Sequence, residues 1–222
     1  MIYKKIRSAS FLSRPNRFLA TVELAGKRET VHVKNTGRCG ELLIPGCRVI
    51  LSRADSPARK TKYDLIAVYK ENIGLVNIDS QAPNQVVKEW LLRQDYEYVQ
   101  PEYGFGRSRL DFFLKKGSRK ILMEVKGCTL EIGGIGYFPD APTERGARHL
   151  RELAGAAALG YECYVAFVIQ VPGVSEVRPN RETDPVFARA WADAEQAGVK
   201  MIFLQCDIKE NELKVKDPYA YC

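Results

Sequence analysis

Residues 109–127 read R-L-D-F-F-L-K-K-G-S-R-K-I-L-M-E-V-K-G, and this stretch decides the fold of the second half of the chain. Two runs rich in apolar residues, 109–114 and 121–130, flank the polar connection Lys115-Lys116-Gly117-Ser118-Arg119-Lys120. A two-residue Gly-Ser turn with Gly first fits type II′, whose twist suits an antiparallel hairpin. In that register Lys116 faces Arg119 and Asp111 pairs with Glu124. Directly opposed residues hold their Cβ atoms ~5 Å apart. Glu124 and Lys126 are two apart on one strand and so project from the same face.

Two carboxylates at that spacing repel each other unless a cation lies between them. A hard divalent ion, Mg²⁺ or Mn²⁺, satisfies such a pair and keeps water ligands free for chemistry. Lys126 on the same face is placed to orient or deprotonate a water, or to stabilise a pentacovalent phosphate. Asp111, Glu124 and Lys126 therefore read as a D…E-x-K phosphodiesterase core, with Asp111 and Glu124 as metal ligands. The string E-x-K alone is weak, since it recurs at Glu212-Leu213-Lys214. The competing reading is a solvated strand face with Asp111 in a surface ion pair. Glu89 and Glu102 are the acids available to complete a metal site.

Around this hairpin the pattern is α/β. Asn84 is a candidate cap for a helix over 84–94, with Val86, Val87, Trp90 and Leu91 on its apolar side. Thr143 caps a second helix running to Leu159, with Gly160 just beyond its end. It places Arg145 and His149 at i and i+4 on one face, where they can hold a phosphate. Asp184-Pro185 opens a third helix, closed by Gly198. The nearly continuous apolar run 163–171 and the stretch 200–208 read as buried strands, which implies parallel pairing. The glycine-rich stretch 133–140 reads as a flexible flap.

Residues 1–82 look different. Short alternating runs at 18–24, 30–34, 48–53, 63–69 and 74–78 are punctuated by Ala25-Gly26-Lys27, Asn35-Thr36-Gly37, Pro45-Gly46 and Ser56-Pro57. Five short strands without a long helix predict a small OB-like barrel. The division expected is a barrel over 1–82 and an α/β domain over 83–222. Charge divides at the same place. Residues 1–82 hold 15 Lys/Arg against 7 Asp/Glu, whereas the remainder holds 19 against 20. Arg14, Arg17, Arg38, Arg59, Lys60 and Lys62 fall mostly at strand ends and loops, interleaved with aromatic residues. That mixture suits phosphate contacts and base stacking, so the expected partner is DNA, with RNA an alternative.

Other classes are excluded. The six cysteines form no CxxC pair, and two histidines rule out HExxH proteases and histidine-rich metal cages. No GxSxG elbow or GxxxxGK[ST] loop occurs. The most apolar stretch, 154–171, is interrupted by Gly155, Gly160 and Glu162, so no membrane span is expected. The first ten residues lack the apolar segment of a signal peptide, which makes the expected location cytoplasmic. Nothing in the sequence sets the oligomeric state.

The landmarks Asn35-Thr36-Gly37-Arg38, Val76-Asn77 with Pro83-Asn84, Glu102-Tyr103-Gly104 and Ser108-Arg109-Leu110-Asp111-Phe112 resemble those of one family. So do Glu124-Val125-Lys126, Thr129-Leu130 and the run from Phe138 to Leu153, F-P-D-A-P-T-E-R-G-A-R-H-L-R-E-L. The chain resembles the sugar fermentation stimulation protein A (SfsA) group over nearly its whole length. The resemblance implies an N-terminal OB-like domain, a C-terminal PD-(D/E)XK nuclease-like domain, and DNA binding. It also implies a role in regulating sugar (maltose) metabolism genes. By motif it places Asp111, Glu124 and Lys126 in the nuclease-like core, with Glu89 or Glu102 as the extra acid. Cys39 and Cys128 depart from the family pattern, which has Met and Val there. Two functions follow as expectations: a metal-dependent nuclease fed by a basic barrel, or a non-catalytic DNA-binding regulator. No helix-turn-helix pattern supports major-groove readout.

Overall fold

Alternation of small and branched apolar residues builds the first half. In the computed structural model, which describes residues 1–216 except Thr36, Asp55, Pro57 and Arg107, six strands form one sheet. They are β1 (Ile6–Ser13), β2 (Leu19–Leu24), β3 (Lys27–Val33), β4 (Arg48–Arg53), β5 (Tyr63–Lys70) and β6 (Gly74–Asn77). Their order is β3-β2-β1-β4-β5-β6, and parallel pairing of His32 with Asp64 and Val33 with Leu65 joins β3 to β5. β1 to β5 thus close into an OB-type barrel, around Phe11, Val22, Val31, Val49, Leu51 and Val68. The expected number of barrel strands holds, but not their identity. β1 was not expected, and β6 lies outside the closed ring, hydrogen-bonded to β5. In β1 only Ala9 and Phe11 are buried, so its sequence IRSASFLS carries almost no apolar alternation. The turn expected at Pro57 and the landmark Thr36 lie outside the described residues, as does Cys222.

The second half contains α1 (Ala82–Leu91), β7 (Tyr98–Phe105), β8 (Ser108–Lys116), β9 (Arg119–Cys128), β10 (Leu130–Ile132), β11 (Ile135–Phe138), α2 (Glu144–Ala158), β12 (Glu162–Ile169), β13 (Val177–Pro179), α3 (Pro185–Gln196), β14 (Lys200–Lys209) and β15 (Glu212–Val215). Its main sheet has the order β15-β14-β12-β9-β8-β7. β12 pairs in parallel with both β9 and β14, as the apolar runs predict. Residues of α1 pack with Phe112, Met123 and Val125 on one face, while α2 and α3 cover Leu122, Val165 and Phe167 on the other. The caps of the later helices follow the sequence. Thr143 accepts the Gly146 N–H at 3.1 Å, and Asp184 accepts that of Phe187 at 2.9 Å.

Three expectations are corrected. Helix α1 begins before Asn84, because Pro83 in its first turn provides the start and Gln81 is the cap, without a side-chain bond. Asn84 is thereby freed for another task. The glycine-rich stretch forms a hairpin rather than a loose flap. Gly133 and Gly134 take φ of +61° and +84° between β10 and β11, the two left-handed residues of a type I′ turn. β13 then pairs in parallel with β11. Finally, Glu212-Leu213-Lys214, which from sequence is the second E-x-K string in a polar C-terminal segment with no strand expected, lies in strand β15 and buries Leu213.

The two halves meet along a buried polar seam. The Asn77 N–H donates to the Gln170 carbonyl at 3.1 Å, and Gln170 Nε2 returns a bond to Asn77 Oδ1 at 2.8 Å. Asn77 Nδ2 donates to the Tyr3 hydroxyl at 3.0 Å, which in turn donates to Asp79. The N-terminal residues also cross over, with Ile2 bridging Glu212 and the Tyr3 N–H bonding the Asn211 carbonyl. A contiguous apolar core runs from the barrel to the face covered by α2 and α3. Among the described residues no helix is long and apolar enough to cross a membrane.

Candidate active site and nucleic-acid cleft

The β8–β9 hairpin has the predicted register from Lys116↔Arg119 to Phe112↔Met123, and Gly117 sits at φ +57° in its turn. At Asp111 the regular pairing breaks. β7 pairs Pro101 with Phe112 and Tyr103 with Leu110, while Glu102 on the intervening rung has φ +53°. Asp111 uses the gap. Its Oδ2 accepts the Val125 N–H at 2.7 Å, and its Oδ1 accepts Asn84 Nδ2 at 2.6 Å. An exposed side chain in the first turn of α1 and the backbone of β9 therefore fix this carboxylate from two directions.

Glu124 is 3% exposed. Lys126 Nζ lies 2.6 Å from its Oε1, and His149 Nδ1 touches the same oxygen. Arg145 Nε, a pure donor, lies 3.4 Å from His149 Nε2. Nε2 must then be the accepting nitrogen, so Nδ1 carries the proton and donates it toward Glu124. Burial pulls the Glu124 pKa upward, but the His149 hydrogen bond and the Lys126 charge outweigh it, leaving the carboxyl below its usual range. Burial pushes Asp111 the other way, and the charge of Glu124 adds to the rise. One acid is held charged beside another that resists charging. The remaining oxygen, Glu124 Oε2, is buried and has no hydrogen-bond partner.

These groups form one wall of a cleft of about 960 Å³ between barrel and α/β sheet. The α/β side supplies Asp111, Glu124, Lys126, Asp140 and Arg145, and the barrel side supplies Asn16, Arg17, Asn35 and Arg38. Of the residues predicted for nucleic acid, Arg17, Arg38 and Arg145 line the cleft. Arg14 also borders it, yet its guanidinium is spent on backbone carbonyls: Gly37 at 2.9 Å, Arg38 at 2.7 Å, Arg17 at 2.8 Å and Asn35 at 2.6 Å. It organises the loops rather than facing a ligand. Arg59 is likewise engaged, in a two-pronged pair with Asp64. Lys60 and Lys62 are not among the residues lining the cleft. His149, 2% exposed, is too buried to meet a phosphate and instead positions Glu124.

The two extra acids are not among the residues lining the cleft. Glu89 Oε2 lies 2.5 Å from the N-terminal amine, and Glu102 pairs at the surface with Arg109 at 3.3 Å. The acid that does enter the cleft is Asp140. Burial raises its pKa, and it accepts the Arg38 backbone N–H from across the cleft. A Cβ on Gly37 would lie 2.1 Å from Asp140 Oδ2, so the loop approaches this closely only with glycine there. Phe138-Pro139-Asp140 was visible as a motif, but nothing in its spacing tied it to Arg38.

Among the described residues no group of three His, Cys, Asp or Glu side chains converges to cage a metal ion. Two carboxylates, one with an orphaned oxygen, match the sparse set that a strongly hydrated Mg²⁺ or Mn²⁺ accepts. They do not match a structural zinc site.

An OB barrel joined to a PD-(D/E)XK nuclease-like α/β fold is the architecture so defined. Comparison with known proteins agrees. The SfsA N-terminal OB domain matches residues 12–78, and the sugar fermentation stimulation protein RE domain matches residues 81–212. A sugar fermentation stimulation protein homolog of Desulfitobacterium hafniense (strain DSM 10664 / DCB-2) is 52% identical over 220 residues, covering 98% of this chain and 96% of the relative. One from Clostridium beijerinckii is 45% identical over 221 residues, covering 98% and 97%. The solved structure of Pyrococcus furiosus SfsA in complex with Ca²⁺ superposes with a TM-score of 0.85 at 27% identity, covering 97% of this chain and 96% of that one. This chain belongs to the sugar fermentation stimulation protein family.

Proposed function

We propose that this protein binds DNA through its basic barrel, residues 1–82, and hydrolyses phosphodiester bonds with Mg²⁺ or Mn²⁺ at Asp111 and Glu124 in the part beginning at residue 83. The observation that carries the reading is the buried, unpartnered Glu124 Oε2 beside a second acid, in a cleft whose opposite wall is cationic. The Ca²⁺ complex of the Pyrococcus relative supports a divalent ion in this fold. Two acids facing a polyanion repel it, and a cation between them reverses that sign.

A divalent ion held there supplies positive charge to polarise a phosphate and lowers the pKa of a bound water. The protein side chains do the rest. Asn84 and the Val125 N–H fix Asp111, while His149 fixes Glu124 in one orientation. Lys126, 16% exposed and 2.6 Å from Glu124, presents its ammonium to the cleft. There it can orient the attacking water and neutralise charge developing on the phosphate. Arg17, Arg38 and Arg145 hold neighbouring phosphates of the strand.

The test is cleavage of labelled single- and double-stranded DNA and RNA in Mg²⁺, Mn²⁺ or EDTA, by wild type and Glu124→Ala. Metal-dependent cutting that the substitution abolishes is the expected result. Tight, salt-sensitive binding without cutting on any substrate would overturn the nuclease and leave a DNA-binding regulator.

A further inference from the structure

The segment between β1 and β2 presents an aromatic ring that the barrel core does not use. Phe18 is 56% exposed, in contrast to Phe11, which is 2% exposed inside the barrel. Single exposed apolar residues are ordinary on a protein surface. This one is set apart by its neighbours and its rigidity. Asn16 and Arg17, immediately before it, line the cleft opposite Asp111, Glu124 and Lys126. Asn16 Oδ1 accepts the N–H groups of Phe18 at 2.9 Å and Leu19 at 3.0 Å, and the Phe18 carbonyl accepts the Val33 N–H at 2.8 Å. Arg14 ties the Arg17 carbonyl to the loop that carries Arg38. The backbone at Phe18 is therefore held by bonds on both sides, and its exposed ring directly follows two residues that line the cleft, one of them an arginine.

The depth of the acids adds a second constraint. Glu124 is 3% exposed at the base of a cleft of about 960 Å³ with cationic side chains on both walls. A phosphate that reaches it through this cleft passes between those walls. A single strand can do this, with its backbone between Arg17 and Arg38 on one side and Lys126 and Arg145 on the other. In a duplex the bases are stacked in pairs and offer no free face to an aromatic ring, whereas an unpaired base does.

From these features, and resting on the proposed phosphodiesterase reading of the cleft, we infer that the substrate is single-stranded nucleic acid, or a strand locally unpaired from a duplex, with one base stacked on Phe18. Phe18 is then a substrate-recognition residue. It selects unpaired strands without reading sequence, because every base has a π-face. Arg17 binds the adjoining phosphate.

The experiment is fluorescence anisotropy in EDTA, so that binding is read whether or not the protein cuts. The probes are labelled DNA and RNA oligonucleotides, each single-stranded, duplex, or single-stranded with an abasic site moved along the strand. Wild type is expected to bind single strands more tightly than duplex of the same length. Phe18→Ala should weaken single-strand binding about 10-fold and leave duplex binding within about twofold. Phe18→Trp should restore it. An abasic site at one position should weaken the wild type by a similar factor and cost Phe18→Ala nothing further. Preference for either sugar supports the inference. Equal losses on single strand and duplex, no effect of Phe18→Ala, or duplex binding as tight as single-strand binding would each overturn it. Absence of cleavage in Mg²⁺ or Mn²⁺ with this binding pattern intact would remove the nuclease and keep the strand selectivity. Cleavage confined to Glu124-competent protein with no Phe18 effect would do the opposite.

Discussion

In the barrel, Asp64 is 5% exposed and lies against two cations and an imidazole. Arg59 grips both oxygens at 2.6 and 3.0 Å, Lys34 lies at 3.3 Å, and His32 Nδ1 lies at 3.0 Å. In the cleft, Lys126 and His149 both meet one oxygen of Glu124 and the other oxygen has no partner, while Asp111 is held by Asn84 and the Val125 N–H. Asp64 and Glu124 are buried to similar depth, and Asp111 is half-buried. The barrel site has more positive than negative charge and is closed. The cleft site is short of positive charge and open toward the arginines of the facing wall. Burial of a charge is tolerated when it is paired, and an unpaired one is kept only where something else completes it. The contrast separates a carboxylate that holds the fold from a pair that awaits a cation.

Substitution should break that contrast in opposite directions. Asp111→Asn or Glu124→Ala is expected to reduce cleavage by at least about 10³-fold. Asp111→Asn should at the same time change stability by no more than about 0.5 kcal/mol, since it relieves like-charge repulsion. Timed cleavage assays paired with calorimetry on the same preparations check both halves. Asp64→Asn should do the reverse, costing about 3 kcal/mol and lowering Tm by about 6 to 12 °C while cleavage per folded molecule holds. A fall in activity larger than the unfolded fraction explains would show that the two clusters are coupled.

Metal and pH sharpen the same division. Mn²⁺ at about 100 times its Kd should stabilise the wild type by about 2.7 kcal/mol in thermal melts, and Asp64→Asn by the same increment, but not Glu124→Ala. His149→Asn, which removes the bond orienting Glu124, should weaken Mn²⁺ binding about 10- to 100-fold by titration calorimetry and leave the ion's stoichiometry unchanged. The smallest effect is in acid. Burial opposes ionisation of Asp64, but Arg59, Lys34 and His32 outweigh it and hold its folded pKa below the usual carboxylate value. Its contribution is thus complete above the unfolded pKa of ~3.9 and is lost as pH falls through the lower folded value. Urea unfolding of wild type and Asp64→Asn should differ by a constant amount between about pH 5 and 7 and converge below about pH 4. A difference that persisted undiminished into stronger acid would assign the stabilisation to packing.

The sequence was most readable where a local signal and the tertiary role coincide. Thr143, Asp184 and Pro185 mark helix starts because capping is settled within a few residues. The Gly117-Ser118 turn set the register of the hairpin as far as Phe112 and Met123, one rung short of the pairing expected between Asp111 and Glu124. Edge strands were hidden. β7, with Pro101 and Glu102 in its middle, buries none of its residues completely, so it carries no alternation to detect. Asp140 was equally silent as a site residue, because it depends on Arg38 more than 100 positions away. Positive charge over-predicted contacts for a related reason. Arg14 and Arg59 are arginines, but carbonyls and an aspartate inside the protein already occupy them.

The seam through Asn77 and Gln170 has a consequence for inheritance. Separating the halves near residue 80 would strip the partners from Asn77, Asp79 and Gln170, all almost fully buried, and expose the core they share. Each such group costs about 1–3 kcal/mol when left unpaired. Gly127 reinforces the joint, because a Cβ there would meet Gln170 Oε1 at 2.4 Å and Pro83 Cγ at 2.8 Å. The barrel and the nuclease-like fold are thus poor candidates for exchange between genes. A lineage that loses one should lose the other, and descendants should carry the pair in this order or not at all.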